Sequence, residues 1–224
     1  MKKIQLYTIV YNSERILPFF LNYYSFVDKM TFIDSNSTDN TLKLIKDHEV
    51  VQTGLTWFNS WALHIYKNTI WRKTKTDADI ILFPDCDEFF YKENLREFLE
   101  TTDYDFYRLK GYEMVSDAYP ALGTNILDIK TGYECPPFNK YTIFKNGLDI
   151  VFPNAHEALC ESRNYSDGDI KLLHYRYLGA SEMIRRKDIL NERTHLPVDS
   201  WDYRANYMLE EELKDMLKKA IIVI

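Results

Sequence analysis

The sequence predicts an α/β protein in which helices flank a Rossmann-like, mostly parallel central sheet. Residues 1–90 alternate β-branched or aromatic runs of strand length with helical patterns, and this alternation is typical of βαβ units around a parallel sheet. From Tyr104 onward, short aromatic strand candidates are separated by loops that contain Pro and Gly, which predicts a smaller mixed or antiparallel sheet. Because no linker or repeat interrupts the chain, we expect a single domain over 1–224, with halves at 1–100 and 101–224.

Local signals place the elements of the first half. The run at 4–11 is β-branched and aromatic, as suits a buried strand. Ser13 is a suitable cap for a following helix, which carries Pro18 near its first turn. The other elements expected here are a strand at 30–35, a helix after the Ser-Thr-Asp caps at 37–39, a short strand near 50–51, a helix from 59 or 60 toward 75, and an apolar strand at 78–84.

Shorter signals predict the second half. Its strand candidates are aromatic or apolar stretches at 104–110, 141–145, 149–152 and 170–175. Two long helical patterns follow at 181–194 and 203–219. Because loops rather than helices separate the strand candidates, we expect an antiparallel or mixed edge here.

Composition excludes several functional classes. The 224 residues include 28 Lys and Arg against 34 Asp and Glu, a formal net charge of −6, which disfavours a protein whose first task is gripping nucleic acid or anionic lipid. With 46% hydrophobic residues, the chain is an ordinary globular one that can bury a sizeable core. Its three cysteines form no CxxC pair, so neither a disulfide framework nor a cysteine zinc site is expected.

The N-terminal stretch is expected to be a strand rather than a targeting signal. Gln5 and Thr8 interrupt its apolar run. No stretch of the sequence reaches the roughly 18 apolar residues that a membrane-spanning helix needs. We therefore expect a cytoplasmic protein with no signal peptide and no transmembrane segment.

Two carboxylates stand where a glycine-rich phosphate loop is missing. The seven glycines never form GxGxxG or GxxxxGK. Asp85 and Asp87 follow the apolar run at 78–84, and ligands of open α/β sheets bind beyond such strand ends. If the extended geometry persists, residues two apart project to one side, and a divalent cation would then relieve the repulsion between the two carboxylates. Taken alone, however, a DxD pair is more often a loop cap.

Four segments in a fixed order favour the functional interpretation. They are Thr-Ile-Val-Tyr-Asn-Ser-Glu at 8–14, Asp-Ser-Asn-Ser-Thr-Asp-Asn-Thr at 34–41, Asn68, and Ile-Leu-Phe-Pro-Asp-Cys-Asp-Glu-Phe at 81–89. Together they resemble the family 2-like glycosyltransferases of the GT-A fold. The resemblance covers residues 4–90 and, more weakly, 150–190. An ordered set of motifs is far more specific than any one of them.

The resemblance implies a role for each motif position. Thr8, Tyr11 and Glu14 would touch the nucleoside, Asp34 the base or ribose, Asn68 the donor, Asp85 the ribose and a metal, and Asp87 the metal. Plainer structural roles stay open, since Asp34 and Asp39 can cap turns or helices and Asn68 can be a solvated helix residue.

In similar enzymes the second half supplies a carboxylate base that deprotonates the acceptor hydroxyl. Glu157, in the Asn-Ala-His-Glu run at 154–157, is the expected catalytic base, and Asp117 is the reserve candidate. The alternative for Glu157 is a surface residue in a loop.

A late histidine and a group of cations are expected to complete the donor site. His174 follows an apolar run and is the expected third metal ligand, with a satisfied core histidine as the alternative. Arg176 and residues 185–187 offer cations for a diphosphate, although the solvated face of a helix is the other interpretation of 185–187. Trp57, in a polar loop, is expected to stack on a sugar ring.

The implied activity is transfer of one sugar from a nucleoside-diphosphate sugar, of the UDP or dTDP type, to a hydroxyl of a glycan or glycoconjugate, with inversion. Mn²⁺ or Mg²⁺ would stabilise the leaving diphosphate. The RxxRW-type element of processive synthases is absent, which favours a non-processive enzyme of polysaccharide, lipopolysaccharide or glycoprotein-glycan assembly. Acceptor recognition could involve a neighbouring C-terminal domain.

Two other classes stay open. One is a non-catalytic carbohydrate-binding or scaffold module built from the aromatic residues, which would need no metal. The other, less favoured, is a phosphatase of the haloacid dehalogenase type, whose DxD motif should lie near the N-terminus rather than in mid-chain.

Overall fold

The computed structural model describes residues 1–55, 60–74, 76–193 and 210–224. Trp57, predicted to stack on a sugar, lies outside these residues, as do positions 203–209 of the last predicted helix and the side chain of Lys187. None of the described helices has the length and apolarity that crossing a membrane requires.

The first half forms a four-stranded parallel sheet. Its strands are β1 (Ile4–Val10), β2 (Lys29–Asp34), β3 (Glu49–Gln52) and β4 (Ile80–Leu82), in the spatial order β3-β2-β1-β4. The helices in this half are α1 (Leu17–Tyr23), α2 (Thr41–Leu44) and α3 (Ser60–Lys73). Parallel pairing requires crossover connections of this kind, so the alternating pattern predicts this half correctly.

The second half adds antiparallel strands to the same sheet. The first half ends with β5 (Glu88–Tyr91) and α4 (Leu95–Thr101). The elements of the second half are β6 (Phe106–Ser116), β7 (Thr131–Glu134), β8 (Lys140–Lys145), β9 (Ile150–Val151), β10 (Leu159–Cys160), β11 (Tyr165–Leu178), α5 (Ala180–Arg193), α6 (Glu210–Lys219) and β12 (Ile221–Ile222). β8 pairs antiparallel with both β4 and β6, so the parallel sheet continues into the mixed one. β9 and β10 form a small antiparallel sheet. The predicted fold class is confirmed.

Strand β11 brings three titratable side chains together. It runs parallel to β6 and antiparallel to β5, and in these two ladders His174 lies opposite Glu113 and Glu88. Residues opposite each other in a ladder are close neighbours. At the end of β11, Gly179 has a φ of 82°, a left-handed conformation that favours glycine, and α5 follows at once.

Aromatic side chains hold strand β5 in place. Phe89 is fully buried, and the centroid of its ring lies 6.1 Å from that of Tyr24 and 5.1 Å from that of Tyr175. The Tyr24 hydroxyl donates to the carbonyl of Glu88 at 3.0 Å and accepts from the N–H of Phe90 at 2.9 Å. The polar end of a buried tyrosine is therefore satisfied, and the backbone of β5 is held in place.

The first helix begins later than predicted, and Ser13 does not cap it. α1 starts at Leu17, and the preceding Ile16 makes no side-chain cap bond. The Ser13 carbonyl instead accepts the N–H groups of Ile16 and Leu17 in a tight turn, while its hydroxyl donates to the Tyr11 carbonyl. The side chain thus stabilises the loop after β1 rather than the helix.

Long-range pairing produced the larger differences from the predicted elements. β6 extends to Ser116 and β11 begins at Tyr165, well beyond the predicted segments, because each strand pairs with the other along most of its length. β5 and α4 were not predicted, since residues 88–91 simply continue the acidic motif in the sequence. Tertiary context here outweighs local propensity.

Candidate active site

A cleft of about 480 Å³ lies at the carboxyl ends of β1 and β4. Its wall is formed by the loop after β1, the turn after β4, the loop before β10, the end of β11 and the start of α5. Seven of the residues predicted for the site lie in this wall, namely Tyr11, Asp85, Asp87, His174, Arg176, Arg185 and Arg186. This is the edge of the sheet at which open α/β proteins bind their ligands.

The segment after β4 is a tight turn, not the extended segment in which Asp85 and Asp87 were expected to face one way. The N–H of Glu88 donates to the Asp85 carbonyl at 2.9 Å, and the N–H of Asp85 donates to the Glu88 carboxylate at 3.0 Å. Both aspartates line the cleft, but their environments differ. The Asp85 side chain is 56% exposed and the Asp87 side chain only 7%.

Asp85, Glu88 and Lys140 form an ion-pair group, called the Asp85 cluster below. Nζ of Lys140 lies 2.7 Å from Asp85 Oδ2 and 2.5 Å from Glu88 Oε1. Desolvation would raise the pKa of the Asp85 carboxyl, but the Lys140 ammonium outweighs it and holds that pKa below its ordinary value. Burial acts to lower the pKa of Lys140, yet the two carboxylates raise it above its ordinary value. Lys140 is therefore charged.

A second buried lysine lies beside this cluster. Lys67 of α3 is 8% exposed, and its Nζ lies 4.7 Å from the centroid of the Phe152 ring and 5.9 Å from that of Phe83. Among the described side chains, no carboxylate forms an ion pair with it. Burial and the charge of Lys140 lower the pKa of Lys67 to about 8, and the aromatic rings supply cation–π contacts in place of a salt bridge.

Asp87, Glu113, His174 and Arg186 form the Asp87 cluster. Asp87 Oδ2 lies 3.2 Å from His174 Nε2 and also contacts the Arg186 guanidinium. On the other side of the ring, His174 Nδ1 lies 3.0 Å from Glu113 Oε2, an ion-pair contact without hydrogen-bond alignment. His174 is thus held between two carboxylates, one from the turn after β4 and one from β6.

The charges of the Asp87 cluster reinforce each other. Burial would lower the pKa of His174, but Glu113 and Asp87 raise it to about 10, so the imidazole is protonated at neutral pH. Burial would raise the pKa of Asp87, but Arg186 and His174 hold it well below its ordinary value. Each charged form is stabilised by its neighbours.

Helix α5 is attached to the cleft by a second buried carboxylate. Glu182 is 3% exposed and accepts hydrogen bonds from the Arg185 guanidinium at 2.7 and 3.0 Å. It also contacts Arg15, in the segment between β1 and α1. Arg185, predicted to offer a cation to a diphosphate, therefore has a carboxylate partner within its own helix.

The predicted nucleoside contacts are divided between the cleft and the core. Tyr11 lines the cleft, whereas Thr8 and Asp34 are fully buried. Both carboxylate oxygens of Asp34 accept the N–H of Ser37, at 3.2 and 3.3 Å, which is the turn-capping alternative. Contacts of Thr8 and Asp34 with a nucleoside stay predictions.

Glu14 and Asn68 bind other parts of the chain. Glu14 Oε2 accepts from the backbone N–H of Asn40 at 3.0 Å and from its side-chain amide at 2.7 Å. The Asn68 amide donates to the carbonyl of Phe152 at 2.9 Å and accepts from the N–H of Phe152 at 2.8 Å. Asn68 thus connects α3 to the segment after β9. The predicted contact of Asn68 with the sugar donor and that of Glu14 with the nucleoside stay predictions.

The loop that was predicted to supply the base reaches the cleft through a neighbouring residue. His156 lines the cleft, whereas Glu157 is exposed and accepts a hydrogen bond from the Asn154 amide at 2.8 Å. Asp117 is exposed and lies outside the cleft wall. The catalytic roles of Glu157 and Asp117 stay predictions.

Sequence reasoning missed Lys140, Glu113 and His156. Lys140 is 52 positions from Glu88, and Glu113 lies in a strand that the sequence predicted to end at 110, so neither belongs to a local motif. The signal that could have found them is weak: a single charged residue at or within an apolar or aromatic strand is rarely buried without a partner. His156 stands next to Glu157, and nothing in the sequence favours the imidazole over the carboxylate as a base.

Asp85 and Asp87 suit a hard divalent cation when a ligand completes the coordination. Lys140 and Arg186 with His174 bind only Oδ2 of each aspartate, which leaves an Oδ1 on each. Mg²⁺ is usually held by one or two carboxylates together with substrate phosphates, so this donor set fits. Among the described residues, no group of three His, Cys, Asp or Glu side chains is placed to hold a metal by itself.

A metal-ligand role for His174 requires a change in this arrangement. Both of its nitrogens face carboxylates, and a metal ligand must be the neutral imidazole with a free lone pair. Nε2 would have to leave Asp87 and lose its proton. The predicted role of His174 therefore stays a prediction.

No family model matches the chain, and no curated protein matches it. Among solved structures, glucosyl-3-phosphoglycerate synthase from Mycobacterium tuberculosis in complex with Mn²⁺, UDP and glucosyl-3-phosphoglycerate aligns with 21% identity and a TM-score of 0.35, covering 50% of this chain and 44% of that one. The same synthase with UDP aligns with 20% identity and a TM-score of 0.35, covering 51% and 46%. A mycobacterial protein aligns with 18% identity and a TM-score of 0.35, covering 50% and 42%. The chain therefore matches less than half the length of each, and similarity of this extent carries no inference about activity.

Proposed function

We propose that this chain is a GT-A-type glycosyltransferase that moves one sugar from a nucleoside-diphosphate sugar to a hydroxyl of a glycan or glycoconjugate. The observation that carries the proposal is the pair Asp85 and Asp87 on a turn at the carboxyl end of β4, lining a cleft with Tyr11. The cleft also contains Lys140 and Arg186. Carboxylates for a cation and cations for an anion on one wall suit a donor that carries both phosphate and sugar.

The proposed cofactor is Mn²⁺ or Mg²⁺, held by Asp85 and Asp87 together with the donor phosphates. When bound, such a cation stabilises the negative charge that develops on the departing diphosphate. The chain's own residues contribute to the same end. Lys140 and Arg186, each paired with one aspartate in this structure, are close enough to the turn to stabilise phosphate oxygens through charge-assisted hydrogen bonds.

The finer parts of the proposal come from the sequence motifs. The donor is of the UDP or dTDP type, with Tyr11 and Asp85 at the cleft and Thr8, Glu14, Asp34 and Asn68 supporting the nucleoside side. Transfer proceeds with inversion, and the product belongs to polysaccharide or glycoconjugate assembly. Residues 1–224 act as one domain, a proposal supported by the continuous sheet from β3 through β4 and β8 to β6.

A donor panel tests the proposal. Purified chain is incubated with UDP-glucose, UDP-galactose, UDP-N-acetylglucosamine, dTDP-glucose or GDP-mannose, with Mn²⁺, Mg²⁺ or a chelator, and release of nucleoside diphosphate is measured. We expect release from at least one UDP- or dTDP-sugar, dependent on the cation and lost in Asp85→Asn. Asp47→Asn, an exposed aspartate far from the motif, is the matched control and should keep the wild-type rate.

The same panel decides between the alternative functions. Binding of free sugars without nucleotide release, unaffected by chelator, would favour a carbohydrate-binding module. Release of inorganic phosphate from simple phosphate esters would favour the phosphatase. Absence of both release and nucleotide binding for all donors would overturn the proposed transferase.

A further inference from the structure

His156 occupies a defined place in the cleft wall. It lies in the loop between β9 and β10, where its backbone N–H donates to the side-chain oxygen of Asn154 at 2.8 Å. Its ring packs edge to face on Phe138, with centroids 5.4 Å apart and planes at 86°. Asp85 and Lys140 line the same cleft. The imidazole therefore packs on Phe138 in the wall of the cleft that contains the proposed donor site.

Neither ring nitrogen of His156 has a hydrogen-bond partner among the described residues. Nδ1 is buried and unpaired, and Nε2 makes no hydrogen bond to any described group. A buried polar atom that has no hydrogen-bond partner destabilises the folded state. A group that lines a cleft and lacks its partners is expected to find them on a bound ligand.

The charges that face His156 keep its imidazole neutral. Burial, the ammonium of Lys140 and the ammonium of Lys67 lower its pKa to about 4, outweighing the opposite effect of Asp85, and the protonated His174 acts in the same direction. At neutral pH one ring nitrogen therefore carries a lone pair. A bound diphosphate would bring negative charge beside this ring and increase its basicity.

The other described imidazole and carboxylates in the cleft wall are already paired. Asp85 is bound by Lys140, and Asp87 lies between His174 and Arg186. Glu182 is bound by Arg15 and Arg185. Within the described part of the wall, His156 is thus the imidazole or carboxylate that is free to receive a proton.

We propose that His156 is the catalytic base of the transfer reaction, a role that rests on the proposed function. The acceptor hydroxyl gives its proton to a ring nitrogen of His156. The oxygen of that hydroxyl forms the new bond to the anomeric carbon, the bond from this carbon to the diphosphate oxygen breaks, and its electron pair stays on the diphosphate. The imidazolium then releases the proton to water.

Three substitutions, two in the loop between β9 and β10 and one directly after β10, test this assignment. His156→Gln keeps a polar side chain but cannot take a proton, Glu157→Gln removes the carboxylate predicted from the sequence, and Glu161→Gln, an exposed residue nearby, is the matched control. Turnover is measured with the sugar nucleotide that the wild-type chain hydrolyses fastest, and UDP affinity is measured by titration calorimetry.

We expect His156→Gln to lower turnover by about 10²–10⁴-fold, as loss of a general base does, with UDP affinity within about threefold of wild type. Glu161→Gln should stay within about threefold of wild type in both measurements. Turnover within tenfold of wild type in His156→Gln overturns the role of His156. A loss of 10²-fold or more in Glu157→Gln assigns the base to Glu157 instead.

The pH dependence separates proton transfer from a purely structural role. Wild-type kcat should fall as pH is lowered and the imidazole becomes protonated in the donor complex, and the residual activity of His156→Gln should lack this acid limb. Added imidazole should restore part of the activity. An unchanged acid limb in the variant overturns the proposal, whereas a wild-type chain that neither binds UDP nor turns over any donor overturns the proposed function itself.

Discussion

Asp85 and Asp87 are two positions apart on one turn, yet the fold places them in opposite surroundings. Asp85 is 56% exposed and bound by one lysine, whereas Asp87 is 7% exposed and lies between an imidazolium and a guanidinium. The partners of Asp85 lie on β8 and within the turn itself, and those of Asp87 on β11 and α5. Two identical side chains thus differ in exposure and in the charges that surround them.

The difference predicts that Asp85 and Asp87 respond differently to substitution. Among the described residues Asp85 forms one ion pair, with Lys140, and its side chain is more than half exposed, so we expect its substitution to cost the fold little. Asp87 is a junction between the turn after β4, strand β11 and helix α5, since its backbone carbonyl also accepts the N–H of Tyr175 at 2.9 Å. We therefore expect substitutions at the two positions to separate stability from ligand binding.

The largest expected effect on the folded state comes from Asp87→Asn. It leaves His174 and Arg186 without their shared carboxylate, and removing one partner from a buried ion pair typically costs about 3–5 kcal/mol. Asp85→Asn should cost about 1 kcal/mol or less, because the pair it breaks is half solvated. Urea unfolding at pH 7 gives both values, with Asp47→Asn as the control. Equal losses of unfolding free energy in Asp85→Asn and Asp87→Asn would show that the two carboxylates do not differ in their contribution to stability.

The next largest effect concerns the buried ion pair of the Asp85 cluster, between Lys140 and Glu88. Lys140→Met leaves Glu88 buried without a cation and should lower the free energy of unfolding by about 2–3 kcal/mol. The double variant Lys140→Met/Glu88→Gln removes both charges and should recover more than half of that loss. Chemical denaturation of the two singles and the double gives the coupling energy. Additive losses would show that Lys140 and Glu88 do not stabilise each other.

The smallest effect, and one of opposite sign, is expected at Lys67. Lys67 is buried and forms no ion pair with any described carboxylate, so Lys67→Met should raise the free energy of unfolding at pH 7 by about 1–2 kcal/mol. Because the pKa of Lys67 is about 8 in the folded chain and 10.5 ordinarily, the unfolded chain binds more protons between these values. Wild-type stability at this site should therefore increase from pH 8 to 10.5.

The difference between wild type and Lys67→Met across that pH range isolates the contribution of Lys67. It should shrink as pH rises, since deprotonation removes the cost of burying the charge. A difference that stays constant from pH 7 to 10.5 would mean that Lys67 is not desolvated as the structure indicates. Unfolding by urea at four pH values is sufficient.

The sequence predicted what depends on neighbours along the chain. The parallel half follows from alternating strand and helix patterns, and the position of Asp85 and Asp87 follows from the apolar run before them. The orientation of the two aspartates was not predictable, because a turn closed by Glu88 replaces the extended backbone. Asn68 was placed on the correct helix, but its amide faces the backbone of Phe152.

What the sequence could not show depends on pairing between distant segments. Glu113 approaches His174 because β6 and β11 run side by side in a particular register, and a single charged residue in either strand does not reveal that register. The contact between Lys140 and Asp85 is equally invisible in the sequence, since it depends on the pairing of β4 with β8. The loop at 154–157 does reach the cleft, but the sequence offers no means of telling which of two adjacent side chains, His156 or Glu157, lines it.

The ion pair between Asp87 and Arg186 also has a consequence for synthesis. The two residues are 99 positions apart, and ribosomes add about 5–20 residues per second, so the carboxylate precedes its guanidinium partner by roughly 5–20 s. Lys140 is translated earlier, 55 positions after Asp85. The cation that pairs with Asp85 is therefore translated before the guanidinium that pairs with Asp87, so the inner ion pair can form only after α5 has been made.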